Sequence, residues 1–149
     1  MHPVPEYETI RFLASAPVAH IGVISDDEPY VTAVSFVVVG PEVRFRTGPG
    51  RRLDALRVHP RVCVEACRVE TESGDWMSAV AWGAAREITA EDVITETVEL
   101  LLAKYRRLIG DPLGFAGLQP LPAFPHVVAV ELDTITGMRS GSPIRPPRF

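Results

Sequence analysis

The segment from Phe45 to Arg52 reads Phe-Arg-Thr-Gly-Pro-Gly-Arg-Arg and concentrates groups that bind anions. With Arg44 and Arg57, it places five guanidinium groups within 14 residues of a chain whose net charge is -4. Arg51 and Arg52 begin a predicted helix, where the macrodipole is already positive. A phosphate at this position would accept hydrogen bonds from the helix amides and from the arginine forks. The segment therefore fits a phosphate-binding loop.

Neighbouring residues support a phosphate-binding loop, because Thr47 supplies a hydroxyl and Gly48 and Gly50 allow the backbone to approach a ligand closely. A second interpretation stays open. The same arginines also fit a solvated basic turn that is neutralised by Glu42 and Asp54. The segment lacks the glycine spacing of nucleoside-triphosphate and dinucleotide loops, which argues against those ligands.

Hydrophobic periodicity and turn residues predict the elements that must position this segment. Strands are predicted at 19–25, 30–39, 43–47, 62–69, 76–88 and 127–133. Helices are predicted at 7–15, at 51–57 and from near 90 to about 109. About six strands with two to three helices, mostly linked by hairpins, indicate a mainly β fold: a small antiparallel barrel with appended helices.

Single residues add detail to this pattern. Gly83, inside the strand at 76–88, marks a bulge or a close approach to the backbone. Both alternating sets of residues in 30–39 are largely apolar, so this strand is expected to be covered on both faces. A Pro/Gly-rich connection follows the third helix at 111–125, and the tail from about 140 is expected to be loose.

Bulk properties limit the class of protein. The length of 149 residues fits one domain, 1–149, and 46% hydrophobic residues are enough for an ordinary core. The acidic balance argues against nucleic acid as a partner, and no apolar run approaches a membrane span. Cys63 and Cys67 are expected to be reduced, and no metal site is expected. We expect a cytoplasmic protein, and 14 arginines against one lysine hint at a GC-rich bacterial source.

The pattern Phe45-x-Thr47-x-x-Gly50-Arg51-Arg52 resembles the F-x-T-x-x-S-R-K phosphate motif of pyridoxamine 5'-phosphate oxidase-like proteins. Here Gly50 replaces the serine of that motif and Arg52 replaces the lysine. Further segments resemble the strands of that family in the same order, and the last is similar to the nitroimidazole-resistance-type branch; they are 19–23, 29–36, 59–63, 80–85 and 130–137. The resemblance covers about residues 6–139.

This resemblance implies a Greek-key split β-barrel that works as a homodimer, with FMN bound between the subunits. Carried over position by position, it implies that the cofactor is bound by Val31, Thr32, Ala33, Val34, Arg46, Thr47, Arg51, Arg52 and Trp82. Arg51 and Arg52 would bind the phosphate, with Thr47 and Arg46 nearby, and the backbone of residues 31–34 would lie along the polar edge of the flavin. Trp82 would belong to the wall on the partner's side.

The implied function is an FMN-dependent reductase or oxidase that acts on a small aromatic or quinone-like substrate, with a nicotinamide as donor. Two alternatives stay open. One keeps the fold and replaces FMN with the deazaflavin coenzyme, and the other is a flavin- or haem-binding protein without turnover. No catalytic side chain is predicted, because the cofactor would carry the chemistry. His20, in an apolar strand, is expected to be a hydrogen-bonded structural residue, with a flavin or substrate contact as the alternative.

Overall fold

Three helices and eight strands make up the described part of the chain. The structure is a computed structural model that describes residues 1–110 and 124–141. The helices are α1 (Glu6–Ser15), α2 (Arg51–Val58) and α3 (Glu91–Ile109). The strands are β1 (His2–Val4), β2 (Ala19–Ser25), β3 (Glu28–Val34), β4 (Phe36–Val39), β5 (Glu42–Thr47), β6 (Arg61–Val69), β7 (Trp76–Ile88) and β8 (His126–Arg139). No helix among the described residues is both long and apolar enough to cross a membrane.

The order of the strands explains the curvature of the sheet. The hydrogen-bonded order is β3-β2-β6-β7-β8-β5-β4, all pairs are antiparallel, and β1 also pairs with β8. The two end strands, β3 and β4, follow one another in the chain with only Ser35 between them. The sheet must therefore curl until its two ends meet at Ser35. This architecture confirms the predicted mainly β split barrel with appended helices.

The prediction of a single strand at 30–39 is wrong. The chain bends at Ser35 and divides this stretch into β3 and β4, which lie at opposite ends of the sheet. Together with the short β1, this division raises the strand number from about six to eight. Residues on both sides of the bend favour strands, so local propensity does not reveal it.

Two side chains of α3 satisfy the backbone at this bend. The Tyr105 hydroxyl accepts a hydrogen bond from the Phe36 N–H at 3.1 Å and donates one to the Pro17 carbonyl at 2.6 Å. The Lys104 ammonium donates to the Phe36 carbonyl at 2.9 Å. A buried backbone group left unpaired costs about 1–3 kcal/mol, so these contacts hold α3 against the barrel.

The barrel interior also fixes the position of α2. In β2, and in β7 as far as Ala85, every second residue points inward and is buried, as the period of two requires. Leu53 and Leu56 of α2 are only 1% and 2% exposed and belong to the same core cluster as these strands. Their burial anchors the helix that begins at Arg51, and so it positions the arginines at its N-terminus.

Most other boundaries follow the sequence pattern. Strands β2 and β7 have the predicted bounds, and α3 ends at the predicted residue. Strand β8 continues to Arg139, beyond the predicted end at 133, because both β1 and β7 pair with its second half. The predicted connection at 111–125 and the tail from about 140 lie largely outside the described residues.

Gly83 confirms the predicted bulge and also the predicted close approach. The register between β7 and β8 shifts between Trp82 and Gly83. A Cβ atom built on Gly83 would lie 2.1 Å from the carbonyl oxygen of Glu131, on the neighbouring strand. The two backbones therefore approach each other at a distance that only glycine permits.

Gly83→Ala is expected to lower the free energy of unfolding by about 3 kcal/mol, because the new methyl group displaces a backbone carbonyl rather than a flexible side chain. Urea unfolding followed by tryptophan fluorescence measures the change. Ala84→Ser, at the exposed neighbouring position, is the matched control and should stay within about 0.5 kcal/mol of the wild type. Equal stability of Gly83→Ala and the wild type would show that β7 and β8 separate freely here.

Lys104 is expected to make stability depend on pH. Burial, and secondarily the charge of Arg107, lower the pKa of Lys104 from 10.5 to about 7. Above pH 7 the unfolded chain therefore binds a proton that the folded chain has lost, so raising the pH favours folding up to about 10.5. Between pH 7 and pH 9, the wild type should gain about 2 kcal/mol of stability relative to Lys104→Met.

Denaturant unfolding at several pH values measures this difference. The contributions of the other titrating groups cancel because both proteins contain them. Arg106→Met, at an exposed position of the same helix, is the control and should unfold in parallel with the wild type. Parallel curves for wild type and Lys104→Met would mean that Lys104 keeps its ordinary pKa.

Candidate functional site

No side chain of the described residues caps the N-terminus of α2. Its first residues follow Gly50, which has a φ of 154° and offers no side chain to cap the helix. The first intrahelical hydrogen bond runs from the Asp54 N–H to the Gly50 carbonyl, so the amides of residues 51–53 have no partner within the helix. A Cβ atom at Gly50 would meet no described atom within 4 Å. These amides therefore keep hydrogen-bonding capacity that neither the helix nor a capping side chain uses.

Arg52 connects the two sides of the split in the barrel. One guanidinium nitrogen donates to the Thr32 hydroxyl of β3 at 2.8 Å, and another donates to the Thr47 hydroxyl of β5 at 3.1 Å. The third, Nε, is buried and has no hydrogen-bond partner in the described structure. Burial lowers the pKa of Arg52 from its usual value. The guanidinium also lies over the Phe45 ring, 5.6 Å from its centre. Arg52 is thus a half-buried cation with a buried donor that has no partner among the described residues.

Arg51 lies on the other side of the same helix end. Its Nε donates to the Ser25 hydroxyl at 2.8 Å, and its guanidinium is stacked over the Tyr30 ring at 4.3 Å. Ser25 is the last residue of β2 and Tyr30 lies in β3 of the same hairpin, and neither was predicted as a site residue. We call the α2 N-terminus with Thr32, Thr47, Arg51 and Arg52 the arginine cradle.

The five arginines of this region fall into two groups by their partners. Arg44 pairs with Glu42 at 2.8 Å and with Glu96 at 3.3 Å, and Arg57 pairs with Glu87. Within the described residues, Arg46, Arg51 and Arg52 donate hydrogen bonds to neutral oxygens and form no ion pair. The interpretation as a neutralised basic turn therefore holds for Arg44, whose partner Glu42 was predicted, but not for the cradle.

Arg46 does not join the cradle through its hydrogen bonds. It donates twice to the Phe124 carbonyl at 3.2 Å. Arg46 was predicted to bind the cofactor, but its guanidinium is used within the chain: the residue is 5% exposed, and burial lowers its pKa. The physical reason is a contact distant in sequence: a carbonyl just before β8 satisfies the guanidinium, and β8 is the strand that pairs with β5.

The strand at residues 31–34 borders the cradle with one free edge. β3 is the last strand of the described path and pairs only with β2, so its other edge faces no strand in the described structure. Thr32 turns its hydroxyl to Arg52, and Val34 is buried. Val31 is 62% exposed on the outer face, and Ala33 is exposed beside it. Both faces of this strand were expected to be covered, but the described part of the chain leaves the outer face of β3 exposed.

Trp82 is separated from the cradle within one chain. Val31, Gly22, Cys63 and Trp82 are paired in register across β3, β2, β6 and β7. Three strand spacings, roughly 14 Å, therefore separate Trp82 from β3. The structure brings Thr32, Thr47, Arg51 and Arg52 together, and it places Trp82 on the same outer sheet face as Val31.

His20 lies on this outer face too. Its Nδ1 is 3.1 Å from a carboxylate oxygen of Glu65 on the adjacent strand, and both side chains are partly exposed. An exposed pair of this kind contributes about 0–1 kcal/mol. This contact favours the structural interpretation of His20. Across the described ranges, no cluster of three or more His, Cys, Asp or Glu side chains could hold a metal ion.

Comparison with known proteins relates this geometry to one family. The family described as pyridoxamine 5'-phosphate oxidase matches residues 5–139 of the chain. An uncharacterized protein of Rhizobium meliloti (strain 1021) is 25% identical over 133 residues, which cover 84% of this chain and 85% of that protein.

Two solved structures share the fold. A FAD-binding protein from Mesorhizobium loti superposes with a TM-score of 0.75 at 18% identity, over 94% of this chain and 98% of that chain. A candidate 5-nitroimidazole antibiotic resistance protein from Bacteroides thetaiotaomicron superposes with a TM-score of 0.70 at 18% identity, over 91% of this chain and 85% of that chain. At such identities these likenesses establish the fold alone.

Proposed function

Because this chain belongs to the pyridoxamine 5'-phosphate oxidase family, we propose that it binds a flavin whose phosphate lies in the arginine cradle. The proposal rests on one observation: some arginines of this region form ion pairs with carboxylates, and others do not. The two guanidinium groups at the helix N-terminus form no ion pair within the described structure, while Arg44 pairs with two carboxylates and Arg57 with one. A phosphate is the anion that this donor set suits.

The donors in the cradle fit a phosphate in number and kind. The amides at the start of α2 and the unused Nε of Arg52 supply hydrogen bonds. Arg51 uses only Nε for Ser25, which leaves its two terminal nitrogens for a bidentate contact. Gly50 leaves room for the phosphate, where a larger side chain would compete for the space. Arg46 supports the cradle from β5 without a direct hydrogen bond to it.

The free edge of β3 supports the position proposed for the ring system. The backbone of residues 31–34 has N–H and C=O groups on the side that faces no described strand. Such groups suit the hydrogen-bonding edge of a flavin, and donors near it stabilise the negative charge that grows on reduction. A bound flavin would supply hydride or electron transfer. This chain's residues would bind the flavin, orient it and set the polarity around it.

The reaction class that follows is oxidoreduction of a small aromatic or quinone-like substrate, with a nicotinamide as donor. FMN is the proposed cofactor, and FAD is included because the similar Mesorhizobium loti protein is described as FAD-binding. The deazaflavin coenzyme carries a phosphate as well and would use the same cradle. Haem binding without turnover is the non-enzymatic alternative, and it would give a Soret band in place of a flavin spectrum.

We further propose that the protein works as a homodimer in the cytoplasm, as the family resemblance implies. The outer face of β2, β3, β6 and β7 supports the dimer. Val31 and Ile24 expose 62% and 37% of their surface there, in line with Trp82. A partner that covers this face would bury Val31 and could bring its own Trp82 to the free edge of β3.

Arg52→Ala is expected to weaken FMN binding by about 1.5–3 kcal/mol, or roughly 10- to 150-fold in Kd, because one charge-assisted contact is lost. Absorbance and calorimetric titration with FMN, FAD and the deazaflavin coenzyme measure it. Arg57→Ala, whose charge is paired with Glu87 outside the cradle, is the matched control and should bind normally. Arg52→Lys, which keeps the charge, should lose less affinity. Unchanged binding by a folded Arg52→Ala protein would place the phosphate elsewhere.

Light scattering is expected to give about 33 kDa, twice the 16.3 kDa of one chain. Val31→Asp should shift the protein toward the monomer and weaken FMN binding, because a carboxylate in an apolar interface is left unpaired. Val58→Asp, on an exposed valine at the end of α2, should leave the mass unchanged. A monomeric wild type that binds FMN at full strength would refute the interface while leaving the cradle intact.

A further inference from the structure

A cationic cavity lies between the C-terminal ends of α1 and α3, apart from the arginine cradle. Its volume is about 330 Å³, and it is lined by Ala14, Ser15, Lys104, Arg107 and Leu108. This volume lies within the range of small-molecule sites, which combine apolar walls with a few polar groups. None of the lining residues belongs to the arginine cradle or to β3.

Lys104 brings a buried ammonium to this cavity. It is the only lysine of the chain, and only 7% of the residue is exposed. An ammonium has three N–H donors. In the described structure it has one hydrogen-bond acceptor, the Phe36 carbonyl at 2.9 Å, and it lies 3.7 Å from the centre of the Phe36 ring. Lys104 therefore uses one N–H donor at the bend, and its other donors have no hydrogen-bond acceptor among the described residues.

Arg107 adds a second positive charge, one helical turn further along α3. Its charge is one of the two causes that lower the pKa of Lys104, after burial. The Ser15 hydroxyl already donates to the Phe12 carbonyl at 2.7 Å, so it does not neutralise the pair. The C-terminal ends of the two helices favour cations, but they supply only partial charge. An anion between Lys104 and Arg107 would relieve their repulsion.

We propose that this cavity binds a small organic carboxylate, whose carboxylate group lies between Lys104 and Arg107 and whose apolar body lies against Ala14 and Leu108. The carboxylate would accept bidentate hydrogen bonds from the Arg107 fork and a charge-assisted bond from the Lys104 ammonium. The apolar walls distinguish it from an inorganic anion, which gains nothing from them. The site is independent of flavin binding.

The single lysine makes the test direct. Selective ¹³C and ¹⁵N labelling of lysine gives one side-chain NMR signal, which reports the pKa of Lys104. Benzoate is the probe, and benzamide is its neutral match in shape. Benzoate is expected to raise the pKa of Lys104 by about one or more, as a nearby opposite charge does, and benzamide is expected to leave it unchanged.

Arg107→Gln should weaken benzoate binding at least tenfold and leave FMN binding at the cradle unchanged. Arg106→Gln, exposed on the same helix, should bind benzoate like the wild type. The proposal is overturned if benzoate leaves the lysine signal and its pKa unchanged, or if Arg107→Gln binds benzoate as tightly as the wild type. It is also overturned if inorganic phosphate at equal concentration shifts the signal as much as benzoate does.

Discussion

The barrel depends on one constraint: the chain passes from the first to the last strand of its sheet through Ser35 alone. A sheet joined this way cannot stay open. The bend removes the Phe36 backbone from an ordinary strand environment, and α3 supplies the missing partners through Tyr105 and Lys104. The long third helix is therefore a structural part of the closure. Without it, two backbone groups would be buried unpaired, at about 1–3 kcal/mol each.

The same constraint creates the cradle. Because the ends of the sheet meet only at the bend, β3 keeps a free edge along the rest of its length, with β5 across the split. Arg52 reaches both sides through the hydroxyls of Thr32 and Thr47. This cation is held by neutral oxygens, so its desolvation is only partly offset. An anionic ligand would complete this arrangement, and the site follows from the topology rather than from one loop sequence.

The parts that the sequence predicts well are those set by local pattern. Hydrophobic residues and turn residues give the bounds of β2 and β7, and Gly83 marks the bulge because a Cβ atom there would lie 2.1 Å from a carbonyl oxygen. The clustering of Arg51 and Arg52 at a helix start is also a local signal. Three features depend on contacts between residues that are 68 to 78 positions apart: the division at Ser35, the burial of Arg46 by Phe124 and the burial of Lys104 at Phe36. A local sequence pattern does not predict contacts at this separation.

The arginine cradle and the cavity beside Lys104 share the same distribution of charge. The chain has an excess of acidic residues and a net charge of -4, yet Arg51, Arg52 and Lys104 have no carboxylate partner in the described structure. Acidic side chains elsewhere pair with Arg57 and Arg61 on the surface, where such pairs contribute little, and Glu42 pairs with Arg44 at a largely buried position. Arg52 is half-buried and Lys104 is buried, so the absence of a counter-charge in the described structure makes their charged forms less stable. An anion bound at either place, as we propose, would raise the stability of the fold.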